Sequence, residues 1–167
     1  AVIQGWTSVP WGVVSLTETE PTDLSESQRA AAYTRMRARV SDHLASFRAN
    51  VERVAPGPLQ LLGTSGTITT LASVDMGLAG YDRRLVDGCM VTSASMRAIS
   101  ADLAAKSPAE RALQPCIGHD RADLVVAGCA ILEAILDAWP AETIRVADRG
   151  IREGILRTLI ARDGGRG

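Results

Sequence analysis

The sequence predicts an α/β domain in which helices pack against a mixed sheet. Two short apolar runs, residues 59–62 and 143–147, each pass through a glycine-containing turn into a helical pattern. Two further β-rich stretches stand at the start of the chain, and amphipathic segments fill the intervals between them. At 167 residues, 46% of them hydrophobic, the chain can bury one sizeable core.

The elements follow in order. Ala1-Val2-Ile3 and residues 9–16 read as a pair of strands, a hairpin in which Pro10, lacking an N–H, stands at the start or edge of the second. Helix-start signals accumulate over residues 22–28, where Asp23-Leu24-Ser25-Glu26 and Ser25-Glu26-Ser27-Gln28 both approach a capping box. Tyr33, Met36, Val40, Leu44, Phe47, Val51 and Val54 then recur at three- and four-residue spacing, placing them on one stripe of a long helix that ends before Pro56-Gly57-Pro58.

The run 59–62 reads as a buried strand leading into Gly63-Thr64-Ser65-Gly66-Thr67 and a helix reaching Met76. Asp87-Gly88 marks a tight turn, and Thr92 or Ser93 caps a helix carrying Met96, Ile99 and Leu103. Ser107-Pro108-Ala109-Glu110 combines an N-cap serine, proline at the first helical position and a reciprocal glutamate. An apolar helix is expected over 122–139, where Gly128 allows close approach of another backbone, and Pro140 ends it. Residues 143–147 alternate as a strand before Asp148-Arg149-Gly150 turns into a last helix reaching about Ile160.

Composition excludes several classes of function. Eighteen basic and nineteen acidic residues are interspersed, leaving a net charge of −1 and no basic footprint for DNA or an anionic membrane surface. No stretch approaches the roughly 20 apolar residues of a membrane span, and nothing resembles a signal peptide, so a cytoplasmic protein is expected. Cys89, Cys116 and Cys129 form no CxxC pair and read as packing residues.

Two loops carry candidate chemistry. The turn Gly63-Thr64-Ser65-Gly66-Thr67 feeds a helix N-terminus, where backbone N–H groups and the positive end of the helix dipole suit an anion. An ordinary tight turn with Thr64 or Ser65 as N-cap fits the same residues. Asp148, Arg149 and Arg152 occupy the equivalent place after the other strand, and open α/β sheets bind ligands beyond the carboxyl ends of their strands. The alternative there is a capping Asp148 with Arg152 and Glu153 paired locally. In Gly118-His119-Asp120-Arg121-Ala122-Asp123, Arg121 is a candidate phosphate donor, while Asp120 or Asp123 suits a helix start. That segment carries no metal set, because the chain's only other histidine, His43, lies on a helix of its own.

Four segments in order and spacing resemble the exopolyphosphatase / guanosine pentaphosphate phosphohydrolase (Ppx/GppA) family: residues 8–18 around Val9-Pro10-Trp11-Gly12, residues 63–72, residues 121–132 and residues 148–156. The resemblance implies the actin-like ATPase (ribonuclease H-like) fold, in which two α/β domains close over a phosphate-bearing ligand. It implies removal of terminal phosphate from polyphosphate or guanosine pentaphosphate, with Mg2+. Gly63, Thr64, Ser65, Gly66 and Thr67 match the family's glycine-threonine loop, where Ser65 departs from the glycine often found there. The family's Asp-x-Gly-Ser-x-Ser and Asp-x-Gly-Gly-Gly-Ser loops do not occur in this sequence.

On that resemblance, residues 1–162 are expected to be the second, C-terminal actin-like domain, incomplete at its N-terminus through lack of its first strand and phosphate loop, with 163–167 a flexible tail. The catalytic base and metal ligands are expected upstream. The expected partners are the phosphate-rich substrate, the missing first domain and a second copy in a homodimer, with no DNA and no membrane. Two other functions fit the same fold: an actin-like ATPase or sugar-kinase domain, and a non-catalytic domain sensing nucleotide or polyphosphate.

Overall fold

Three short strands make the sheet: β1 (Leu61–Thr64), β2 (Met90–Thr92) and β3 (Thr143–Ala147), in the order β1-β3-β2. β1 runs parallel to β3 in the register Leu61↔Ile144 to Thr64↔Ala147, and β2 runs antiparallel to it with Val91 opposite Ile144. The sheet is therefore mixed, as expected. The computed structural model describes residues 3–21 and 24–164. The helices are α1 (Val13–Thr17), α2 (Glu26–Val54), α3 (Gly66–Asp75), α4 (Arg83–Val86), α5 (Ser93–Ala105), α6 (Pro108–Ala112), α7 (Gly118–Ala122), α8 (Val125–Ala138) and α9 (Ile151–Gly164).

Local chemistry sets the helix starts. Ser25 begins α2, its N–H donating to Gln28 Oε1 at 2.9 Å; Asp23 lies outside the described residues. Thr92 rather than Ser93 caps α5, accepting from the Ser95 N–H at 3.0 Å. This leaves Ser93 to bind the Ala141 and Glu142 carbonyls and fix β2 to the start of β3. Ser107 and Glu110 exchange backbone-to-side-chain bonds around Pro108 at the start of α6.

The core is built on α8, which is buried on nearly every side, with Ala127, Cys129 and Ala130 fully enclosed. Ala32, Met36, Val40 and Leu44 on α2 recur every four residues and pack along it, followed by Phe47 edge-on to Trp139 at 5.8 Å. Arg37 from α2 and Arg97 from α5 converge on Glu133 and Asp137 of α8, tying three helices through one charged cluster. Among the described residues, no helix is long and apolar enough to cross a membrane.

Four expectations need correction. No hairpin forms in residues 3–16: the chain is irregular to Gly12 and then enters α1. The Gly12 N–H donates to Ser15 Oγ at 2.9 Å, and the helical turn delivers Leu16 into complete burial near α8. That local bond and the burial of one leucine outweigh β propensity where no neighbouring strand is offered. Leu62 is 65% exposed instead of buried, because it stands with Arg145 and Met90 on the solvent face of the sheet while Ile144, Val146 and Val91 face the core. The apolar helix expected over 122–139 is divided: α7 ends at Ala122 and α8 begins at Val125, with a tight Leu124 N–H to Arg121 carbonyl turn between them. Helix α9 continues beyond Ile160 to Gly164.

Glu20, in the turn after α1, is held by Arg35 at 2.5 Å and Arg39 at 2.6 Å while its own side chain is only 6% exposed. Burial pushes its pKa up, but the two guanidiniums together outweigh burial and hold it below the ordinary carboxylate value. A folded pKa below the unfolded one gives stability that is present above the unfolded pKa and lost as pH falls through the folded pKa. Both arginines are substantially exposed, so the effect is about 1 kcal/mol. Glu20→Gln is expected to lower stability by about that amount at pH 7 and to converge with the parent below the carboxylate range, as read by urea titrations at several pH values.

Candidate functional site

Because β1 and β3 are adjacent and parallel, their carboxyl ends leave the sheet side by side and their following turns share one rim. The Thr64 hydroxyl donates to the Arg149 carbonyl at 3.0 Å, stitching one turn to the other. Beyond that rim lies a cleft of about 680 Å³, lined in part by Thr64, Ser65, Gly66 and Thr69 on one side and by Asp148, Gly150, Arg152 and Glu153 on the other. Arg121, Tyr81 and residues 115–118 close it.

Ser65 sits at φ 86°, ψ 174°, and is the one non-glycine residue with positive φ among the described residues. That conformation is almost confined to glycine, since Cβ collides with the backbone. The turn directs the chain into α3 without a side-chain cap, so the first-turn N–H groups are left without an intrahelical or capping acceptor. Ser65→Gly should relieve about 1–3 kcal/mol of strain and lose about 0.5–1 to the freer unfolded glycine, for a net gain of about 1 kcal/mol in urea denaturation.

The sequence candidates divide by where their side chains go. Ser65, Gly66, Thr64, Arg121, Asp148 and Arg152 line the cleft. Gly63 faces inward instead, and an added Cβ would meet Ile68 Cγ1 at 2.9 Å. Thr67 turns towards α8, where it fills the space over Gly128 and borders a smaller hollow of about 210 Å³ shared with Val13 and Arg121. Arg149 also turns away, its guanidinium 3.8 Å from Asp87. Asp148 lies on the cleft with its carboxylate held by Arg83 at 2.7 Å, and its N–H donates to Asp87.

Hydroxyl commitments narrow the donors further. Thr69 donates to the Ser65 and Gly66 carbonyls, and Thr64 is spent on Arg149. The free donors facing the cleft are the α3 N–H groups, the Ser65 hydroxyl and the side chains of Arg121 and Arg152; Arg121 also reaches Thr70 at 2.8 Å. Glu153 accepts from the Gly150 N–H at 2.9 Å, and such backbone bonds hold its pKa below the ordinary value. His119 and Asp120 are exposed on α7, and His43, on α2, meets the Trp11 indole N–H at 3.3 Å.

Two contributors carried no sequence signal. Tyr81 reaches the cleft from the loop before α4; burial first, and then the neighbouring Asp148 carboxylate, push its pKa up to about 12, so the phenol stays a donor at neutral pH. Residues 115–118 turn on Gly118, which adopts φ 66°. Among the described residues, no group of three His, Cys, Asp or Glu side chains is placed to hold a metal.

Comparison with known proteins agrees with this architecture. The chain is similar to a crystal structure of an Aquifex aeolicus Ppx/GppA family member, with a TM-score of 0.79 at 24% identity over 94% of this chain and 49% of that one. It is also similar to an exopolyphosphatase from Cytophaga hutchinsonii, with a TM-score of 0.76 at 21% identity over 93% of this chain and 49% of that one. These relatives have the actin-like ATPase fold implied by the sequence. In sequence, 100 residues, 59% of the chain, are 33% identical to a proposed exopolyphosphatase of Haemophilus influenzae, covering 29% of that protein. The chain thus spans about half the length of the solved relatives and under a third of the curated one. The family model for Ppx/GppA phosphatases matches residues 3–162, almost everything from the first turn to the last helix, and on that match the chain belongs to the Ppx/GppA phosphatase family.

Proposed function

We propose that this chain supplies one wall of a cleft in which terminal phosphate is hydrolysed from a phosphoanhydride, with inorganic polyphosphate and guanosine pentaphosphate as the substrate candidates. The carrying observation is the uncapped N-terminus of α3 facing Arg121 and Arg152 across a single cleft. Phosphoryl transfer is promoted mainly by positioning and by stabilising charge on the transferred group. Backbone N–H groups and two guanidiniums are suited to that role, and the Ser65 hydroxyl adds a neutral donor.

The cleft carboxylates of this chain do not fit a magnesium site. Asp148 is occupied by Arg83 and Glu153 by the Gly150 N–H, and neither belongs to a three-donor cluster among the described residues. Magnesium, the attacking water and its base are assigned in this proposal to the other half of a two-domain protein, and no step through the metal is drawn from these residues.

The test is phosphate release by the full two-domain protein from polyphosphate, guanosine pentaphosphate and ATP, beside residues 1–167 alone. The expected result is preferential release from one of the first two and none from the 167-residue chain. Arg152→Ala in the full protein should reduce kcat/KM at least about tenfold, the value of one charge-assisted hydrogen bond. Preference for ATP would favour the kinase-like alternative. A folded full protein silent on all three substrates would favour sensing without chemistry.

A further inference from the structure

Glu133 and Arg111 are the two charged residues buried as a whole among the described residues, each 6% exposed. Their surroundings differ sharply. Glu133 has Arg37 at 3.0 Å and Arg97 at 3.9 Å. Arg111, on α6, makes one bond, Nε to the Ser107 carbonyl at 3.3 Å, and has no carboxylate within ion-pair distance among the described residues. A buried charge normally has an ionic partner, because desolvation without one costs several kcal/mol.

Arg111 lines a pocket of about 470 Å³, within the size range of small-molecule sites and sharing no residue with the phosphate cleft. Arg29 lines it too, bonded among the described residues to the Leu24 and Ala105 carbonyls alone. The walls between are apolar: Leu24, Ala32, Met36, Ala104 and Val126. Two carboxylates reach the rim. Glu20 is already shared by Arg35 and Arg39, and Asp123 makes no ion pair with either pocket arginine. Burial disfavours the charge on Arg111; Asp123 offsets this in part, and Arg29 adds repulsion.

We propose that this pocket is a second binding site, for a small carboxylate with an apolar body, the carboxylate pairing with Arg111 and Arg29 and the body lying on the apolar walls. A carboxylate matches the planar fork of a guanidinium, and the two hydroxyls of the lining, Thr17 and Ser107, already donate to the Val13 carbonyl and to Glu110. The site goes beyond the proposed hydrolysis and does not depend on it.

The probe is octanoate, titrated calorimetrically into the 167-residue chain, with octanol and inorganic phosphate as controls. Saturable one-to-one octanoate binding is expected, with neither control competing. Arg29→Gln, a partly exposed residue, should weaken it at least tenfold. Arg111→Met should abolish binding and, by removing an uncompensated buried charge, leave the melting temperature of the unliganded protein unchanged or raised. If Arg111→Met unfolds the chain, Arg29→Gln decides the question. Absence of octanoate binding, or equal binding of phosphate, overturns the proposal.

Discussion

Gly128→Val is expected to destabilise the chain by about 3 kcal/mol, lowering the melting temperature by about 10 °C. A Cβ at this position would stand 2.4 Å from Thr67 Oγ1 and 2.6 Å from Thr67 Cγ2, far inside van der Waals contact. Neither partner can retreat easily. Gly128 lies in the middle of the buried α8, and Thr67 is in the first turn of α3. Valine in place of glycine improves helix propensity by a few tenths of a kcal/mol, too little to offset the clash. Gly128→Ala should cost about 2 kcal/mol, and Thr67→Ala should restore most of it, since only Thr67 Cβ at 3.1 Å would remain close. A double-mutant cycle by urea denaturation is expected to give coupling above about 1 kcal/mol. Additive effects would show that the two side-chain positions do not meet.

The second large effect is Leu71→Ala, expected to cost about 3 kcal/mol. Leu71 is fully enclosed where α3 meets the core, so truncation loses transfer energy and leaves a cavity in rigid surroundings. Leu62→Ala, nine residues earlier in the same βα unit, should change stability by less than about 0.5 kcal/mol, because that side chain is 65% exposed. Equal losses at the two positions, measured by chemical denaturation, would mean that the Leu62 face of the sheet is covered in solution.

These two leucines also show what a sequence can convey. Both belong to apolar runs, and periodicity alone marks both as core; what separates them is which face of the sheet the helices cover, and that is set by partners far along the chain. Caps were readable because they are local: Thr92 and Ser107 each accept from an N–H three residues on, and the Ser25 N–H donates to the Gln28 side chain, also three residues on. The first β-rich stretch misled because a strand requires an external partner, while Gly12 and Ser15 could satisfy each other. Within the site, the two turns were legible from glycine placement and topology. The directions of Thr67 and Arg149 were not, since they are fixed by Gly128 and Asp87, 61 and 62 residues away respectively. Tyr81 was invisible for the same reason.

The bond from Thr64 to Arg149 bridges residues 85 apart. Chain closure over such a distance is entropically expensive and slow compared with forming a helix or a turn. During synthesis β1 and its glycine turn are made well before their parallel neighbour β3. Until then the open backbone of β1 has no permanent mate on that side. The rim of the cleft is thus a late product of folding, completed when β3 docks between two strands that have been waiting for it.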